Sequence, residues 1–222
     1  MTPDRLVTRR RFLVQTGFAA ALLFASAGFL GLPAAHAQER VSVEELMQPG
    51  PLPEKSEGSP DAPVTMIEYA SMTCSHCASF QVNTLPRLKS EYIDTGKVRL
   101  ILREFPLDPL AAAGFMLARC APNDSYFAFV DTLFHRQAEW AFVDDPVAAL
   151  EKLSLQAGFT HESFNECLTN QKLLDGINAV RDRAANEFGV NSTPTFFING
   201  QVKRGDMSFE ELKAILDPLL NS

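Results

Sequence analysis

Two cysteines separated by two residues, Cys74-Ser75-His76-Cys77, can close a small disulfide or open to a dithiol. A pair that cycles in this way trades electrons with the cysteines of another molecule. Far downstream, Thr193-Pro194-Thr195 sets a cis-prone proline directly before a β-type run, a shape suited to gripping an extended peptide opposite the pair. Cys74 is the expected nucleophile, because it stands where a helix starts and the free backbone N–H groups of the first turn favour negative charge. Cys77, one turn inside, is the expected resolving thiol. The ring of His76 can offer a donor or a positive charge near the sulfur. A helix terminus contributes about 0.3–1 kcal/mol, up to ~2. Carrying a thiol from about 8.5 to about 3.5, the low end reached by reactive cysteines, needs roughly 7 kcal/mol. The dipole alone is too small, so direct hydrogen bonds from the backbone of Ser75, His76 and Cys77 must supply much of the rest.

The elements that position these groups follow from pattern. Val64 to Ala70 is a nearly unbroken apolar run of strand length, suited to the centre of a sheet covered on both faces. Glu68 interrupts it. An ionised carboxylate is costly there, so burial should raise its pKa, unless the side chain leaves the strand's end for solvent. Phe80, Leu85, Leu88 and Tyr92 then recur at roughly helical spacing, with a kink expected at Pro86, until Thr95-Gly96 ends the helix and Lys97 to Phe105 reads as a second strand. Strand, helix and strand at this spacing predict a right-handed βαβ unit with a parallel pair. From Pro106 to about Phe188 the pattern is helical, with starts near Asp108-Pro109, Asn123-Asp124, Asp145-Pro146 and His161 and a longer helix over 171–188, which predicts an inserted all-helical subdomain. The sheet resumes at Thr195 to Ile198, turns at Asn199-Gly200 with a type I′ signal and returns through Gln201 to Arg204. A last helix starts at Ser208, whose capping box Glu211 completes, and buries Leu212, Ile215, Leu216 and Leu219.

The first 37 residues read as an export signal. Arg5 through Arg11 lead into an apolar run from Phe12 to Leu32, and Ala35-His36-Ala37 is a small-x-small cleavage site, which predicts a mature start at Gln38 in the periplasm or another extracytoplasmic space. Thr8-Arg9-Arg10-Arg11-Phe12-Leu13 matches the twin-arginine pattern, with the general secretory route and an uncleaved membrane anchor as the competing readings. Losing four arginines and one aspartate moves the formal charge from −7 to −10, which argues against nucleic acid as a partner. Residues 38–62 read as an arm and linker, in which Ser42 and Glu45 fit a capping box, ahead of one domain over 63–222.

Order and spacing together make the sequence resemble the DsbA-like branch of the thioredoxin superfamily. The likeness is carried by the strand with Glu68, the Cys74-Ser75-His76-Cys77 helix start, the run from Tyr92 to Val98, Arg103-Glu104-Phe105-Pro106-Leu107, and Thr193-Pro194-Thr195-Phe196-Phe197. The resemblance implies an α/β thioredoxin fold with a helical insertion, and a thiol:disulfide oxidoreductase without cofactor or metal. It also implies substrate contact at Thr193 and Pro194, and Glu68 as the acid that handles the proton of the second cysteine. The clients would be unfolded or folding secreted proteins with cysteines, most directly oxidised by the pair, and a membrane quinone-linked thiol oxidase of the DsbB kind would recharge it. Cys120 and Cys167 fall in the insertion, and in an oxidising compartment a structural disulfide is their simplest use, ahead of free buried thiols or a shared metal site. Two other functions remain open at this point. One is an isomerase or reductase, whose relatives carry a dimerisation domain for which residues 38–62 are too few. The other is a metal carrier using Cys74, Cys77 and His76.

Overall fold

The computed structural model describes residues 39–221, so the export signal expected over residues 1–37, with cleavage near Ala37, lies outside them. Strand β2 (Val64–Ala70) is the middle of a five-stranded sheet ordered β1-β3-β2-β4-β5, with β1 at Lys55–Glu57, β3 at Val98–Glu104, β4 at Thr195–Ile198 and β5 at Gln201–Arg204. It runs parallel to β3, with Val64 opposite Val98, and antiparallel to β4, with Ile67 opposite Phe197. Both of its faces are covered, as its apolar run requires. Val64 and Met66 pack with Phe80, Leu88, Phe196 and Leu212, beneath the helix that follows Cys74 and helix α10 (Phe209–Leu220). Ile67 and Tyr69 face the other way, against Leu46 of α1 (Val43–Leu46) and Val180, Ala184 and Phe188 of α9 (Gln171–Phe188). Period-two alternation puts Glu68 on the face of Val64 and Met66, toward the cysteine-bearing helix.

That helix is irregular. α2 (Ser75–Ser79) opens into a π turn at Phe80–Thr84, and α3 (Leu85–Leu88) is followed by another at Lys89–Ile93. Pro86 accounts for the first: it has no N–H to give and its ring crowds the carbonyl four residues back, so a wider turn absorbs the misfit. Phe80 lies 4.7 Å from Phe196 between ring centroids, which locks the cysteine helix to the strand just beyond Pro194. Such a pair contributes about 0.5–1.5 kcal/mol beyond its burial.

Between β3 and β4 lie α4 (Pro109–Cys120), α5 (Tyr126–His135), α6 (Gln137–Trp140), α7 (Pro146–Gln156), α8 (His161–Leu168) and α9, so the fold is the α/β thioredoxin arrangement with an all-helical insertion. Side chains of Asp108, Asp145, Thr160 and Asn170 cap α4, α7, α8 and α9 by accepting from N–H groups of the first turn. The start expected at Asn123-Asp124 is instead a 3-10 turn at Pro122–Asp124. Both residues have positive φ, 56° and 53°, which a right-handed helix cannot continue through, and α5 begins at Tyr126. Cys120 at the end of α4 is bonded to Cys167 in α8, with Cα atoms 6.2 Å apart.

The segment expected as arm and linker is stitched to the domain. Its Lys55–Glu57 forms β1, antiparallel to β3, and Val41 N–H donates to Gly200 O at 2.8 Å. Gly200 is required at that crossing: its φ is 81°, and a Cβ would sit 2.3 Å from Val41 O. Arg103 adds hydrogen bonds to Glu54 and to Leu46 O, and Arg183 to Glu45 O and Gln48 O. Ser42 accepts from Glu45 N–H, which forms the serine half of the capping box expected there.

Candidate active site

Cys74 is the N-cap residue of α2, with extended backbone at φ −80° and ψ 119°, and its carbonyl takes the N–H of Ala78 at 3.1 Å. This leaves the next N–H groups without helical acceptors and close to the sulfur. Both site cysteines are free thiols; Cys74 is partly exposed and Cys77 fully buried. The Cys74 thiol is pulled down from its ordinary 9.0 to about 5. The first cause is the hydrogen bond from Cys77; partial burial opposes it, and the Thr193 side chain and the backbone N–H groups of Cys77 and His76 assist. Cys77 is pushed far up by burial, and further by its bond to Cys74 and the negative charges of Glu68 and Cys74. The geometry therefore separates the two sulfurs, one anionic at neutral pH and the other held as a thiol.

The Thr193-Pro194 bond is cis. Cys74 Sγ lies 3.3 Å from Thr193 O, to which the thiol donates, although 119 residues separate the two in sequence. The Thr193 hydroxyl is buried without a hydrogen-bond partner, and it is one of the groups that lower the Cys74 thiol. Gly205 N–H donates to Pro194 O at 2.9 Å and Thr195 Oγ1 to Ser192 O at 2.7 Å, which fix the bend to β5 and to the end of the preceding loop.

Glu68 is fully buried, so the exposed alternative for its side chain does not hold. Burial first, then the negative charges of Cys74 and Asp206, raise its carboxyl to about 8 against the pull of a hydrogen bond from Gln81. Gln81 Nε2 donates to Oε2 at 3.2 Å, while Oε1 has no partner. An amide donor suits the carbonyl oxygen of a neutral acid, in keeping with the raised pKa. Among the described residues three buried side-chain polar atoms lack partners, and two of them, Glu68 Oε1 and Thr193 Oγ1, belong to this site. Unsatisfied buried groups of this kind cost stability and point to chemistry rather than packing.

His76 is exposed, and its backbone N–H is among the groups that lower the Cys74 thiol. Two glutamines escaped the sequence reading. Gln81, 4 % exposed, follows Cys77 by one helical turn on the same buried face, and Gln137, 6 % exposed, donates to Met72 O and Cys74 O from the insertion. Each stands in an apolar stripe, Cys77-Phe80-Gln81-Thr84 and Leu133-Phe134-Gln137-Trp140, and a lone amide in such a stripe was the available signal. A cavity of about 430 Å³ lies behind the helix, lined by Gln81, Leu85, Lys89, Phe127 and Asp131, and does not open on Cys74. A partner that is itself a polypeptide needs an accessible sulfur and a peptide-binding wall more than a cavity. Among the described residues no group of three or more His, Cys, Asp or Glu could hold a metal ion, and no helix is long and apolar enough to cross a membrane.

Comparison with known proteins agrees with this geometry. The family described as Thioredoxin matches residues 53–218. The chain is 31% identical over 173 residues to disulfide bond formation protein D of Bacillus cereus, covering 74% of this chain and 77% of that one. It is 30% identical over 164 residues to a Rickettsia felis protein named as a protein-disulfide oxidoreductase, and there it spans 73% of itself but only 59% of the relative's length. The solved structure of Wolbachia pipientis alpha-DsbA1 superposes with a TM-score of 0.73 at 33% identity, over 80% of this chain and 95% of that one. The chain belongs to the thioredoxin family, in its DsbA-like branch.

Proposed function

We propose that this chain is an exported thiol:disulfide oxidoreductase that passes the Cys74–Cys77 disulfide to cysteine pairs of other polypeptides. The observation that carries the reading is the placement of its sulfurs: Cys74 partly exposed at the helix start, 3.3 Å from Thr193 O of the cis bend, and Cys77 fully buried one turn inside. A client thiolate attacks Cys74 Sγ, the bond to Cys77 breaks, and Cys77 leaves as a thiolate that takes the proton of Glu68. The second client thiolate then attacks the client sulfur of the mixed disulfide and expels Cys74 as a thiolate. The client loses two electrons and the chain gains them. A leaving thiol of low pKa departs readily, which favours oxidation of the client. Holding Cys74 at about 5 rather than 9.0 stabilises the reduced form at pH 7 by about 3 kcal/mol. For two electrons this is about 60 mV toward the oxidising end of the range.

Thr193 and Pro194 are the substrate-binding wall in this reading, and secreted proteins with unpaired cysteines are the clients. The signal-like first 37 residues and the Cys120–Cys167 bond fit an oxidising compartment such as the periplasm. Re-oxidation by a membrane quinone-linked thiol oxidase of the DsbB kind completes the cycle. The test is the equilibrium of the pair with a glutathione buffer, together with oxidation of a reduced dithiol peptide, using Cys74→Ala as the control. A potential nearer −120 mV than −270 mV is expected on the scale of related proteins. A value near −270 mV, or turnover that survives Cys74→Ala, refutes the assignment.

A further inference from the structure

The segment leading into Cys74 is gripped from the helical insertion at two points. Thr73 Oγ1 donates to Asp108 Oδ2 at 2.5 Å, and the other oxygen of Asp108 accepts from Ala111 N–H at 2.7 Å to cap α4. The second grip is Gln137. Its Nε2 donates to Met72 O at 2.8 Å and to Cys74 O at 3.1 Å, so one amide ties the two carbonyls that bracket Thr73 and Cys74. The amide is itself held firmly. Trp140, one turn later, is fully buried with its indole N–H on Leu133 O at 2.8 Å. Met72 packs against Gly114 of α4, where a Cβ would come within 3.1 Å of it. The Cys74 carbonyl is also the first acceptor of α2, taking Ala78 N–H at 3.1 Å. Its direction therefore sets where the start of the helix, and the N–H groups facing the sulfur, are aimed.

We infer that Gln137 is a positioning residue for the nucleophile, through which the helical insertion governs how readily the Cys74 sulfur carries negative charge. The route is geometric: holding the Cys74 carbonyl fixes the first turn of α2, and with it the backbone N–H groups of His76 and Cys77 that lower the energy of a thiolate at Cys74. The titratable side chains that act on the sulfur are Cys77 and Glu68 of β2, and His76 beside it is exposed; the test alters none of them. The inference rests on Cys74 being the nucleophile, as proposed above.

Gln137→Met keeps the length and bulk of the side chain and removes its donors. The Cys74 inflection, read from the pH dependence of alkylation rate in the reduced protein, is expected to rise by about one pH unit. The equilibrium constant for oxidising glutathione at pH 7 falls about tenfold with it. A variant that loses stability while both readouts stay put shows a brace and overturns the inference. Should Gln137→Met not fold, the unaltered protein decides. The side-chain amide resonances of Gln137 must move through the Cys74 titration, and amide signals that stay flat overturn the inference equally. Alkylation of the unaltered chain separates the two levels. A reactive Cys77 beside an inert Cys74 brings down the functional reading, whereas a reactive Cys74 that ignores Gln137 brings down only this step.

Discussion

Glu68→Gln in the reduced protein tests the buried acid directly, because two opposed titrations meet at this site. The Glu68 carboxyl is raised from 4.5 to about 8. A raised carboxyl stabilises the fold fully below its unfolded value, and that contribution drains away as pH climbs toward the folded one. Cys74 has the opposite sign. Its folded value of about 5 lies below its ordinary 9.0, so its contribution is absent at acid pH and grows as pH rises between the two. From pH 5.5 to 7.5 each group changes stability at about 1.4 kcal/mol per pH unit, in opposite directions, and the pair nearly cancels. Glu68→Gln removes one side of the balance. The stability of the reduced variant should rise relative to the unaltered chain by about 3 kcal/mol over those two pH units. With a urea slope of about 2 kcal/mol/M this is a relative midpoint shift of about 1–2 M. Urea unfolding followed by far-ultraviolet circular dichroism, at a series of pH values under a reductant, measures it. Groups away from the site are common to both chains and drop out of the difference, and Cys77, which Glu68 also helps to raise, is kept above this pH range by burial, its first cause. Curves that stay parallel from pH 5.5 to 7.5 refute the raised carboxyl and the proton role built on it.

Two further outcomes follow from the insertion. Replacing Cys120 and Cys167 together by Ser opens a loop of 47 residues, and the loop-entropy account puts the loss at about 4 kcal/mol as an upper figure, read as a lower thermal midpoint with the Cys74 inflection still present. Arg119→Met strips the fully buried Glu104 of its paired donors at 2.6 and 3.0 Å and leaves it the Tyr126 hydroxyl alone, so unfolding should become easier by about 3–5 kcal/mol in chemical denaturation.

Residues that act locally were legible in the sequence. The strand over Val64–Ala70, the hairpin at Asn199-Gly200, the last helix from its Ser208 cap and the helix over Gln171–Phe188 all follow from periodicity and turn chemistry within a few positions. What escaped depends on contacts between distant segments. Lys55–Glu57 is three residues long with no strand-like pattern, and it becomes β1 only because β3 offers an open edge. Glu68 was legible as a carboxyl in a strand covered on both faces, and its burial agrees; what escaped was its partner Gln81 on the helix above. His76 sits beside the nucleophile in sequence, and the contribution of its backbone N–H to the sulfur depends on the helix start rather than on its side-chain type. Gln137 lies 63 residues from Cys74, so no local rule could have joined them.

In the proposed reaction, the separation of the two sulfurs also sets which way a mixed disulfide resolves. Once Cys74 is bound to a client, its charge and its hydrogen bond no longer act on Cys77, yet burial, the first cause of the high Cys77 value, remains. Cys77 therefore stays a thiol at neutral pH and attacks the mixed disulfide slowly, since only the thiolate is a nucleophile. A client with a second cysteine has time to resolve the bond itself and leave oxidised. A client with a single cysteine has no such exit, so Cys77 is its only resolver. The release rate of a single-thiol peptide from Cys74 should then climb about tenfold per pH unit from pH 6 to 9, following the growing Cys77 thiolate fraction. Rapid release that is flat over this range would mean that Cys77 ionises freely inside the protein. The asymmetry at the helix start would then not be what drives disulfides outward.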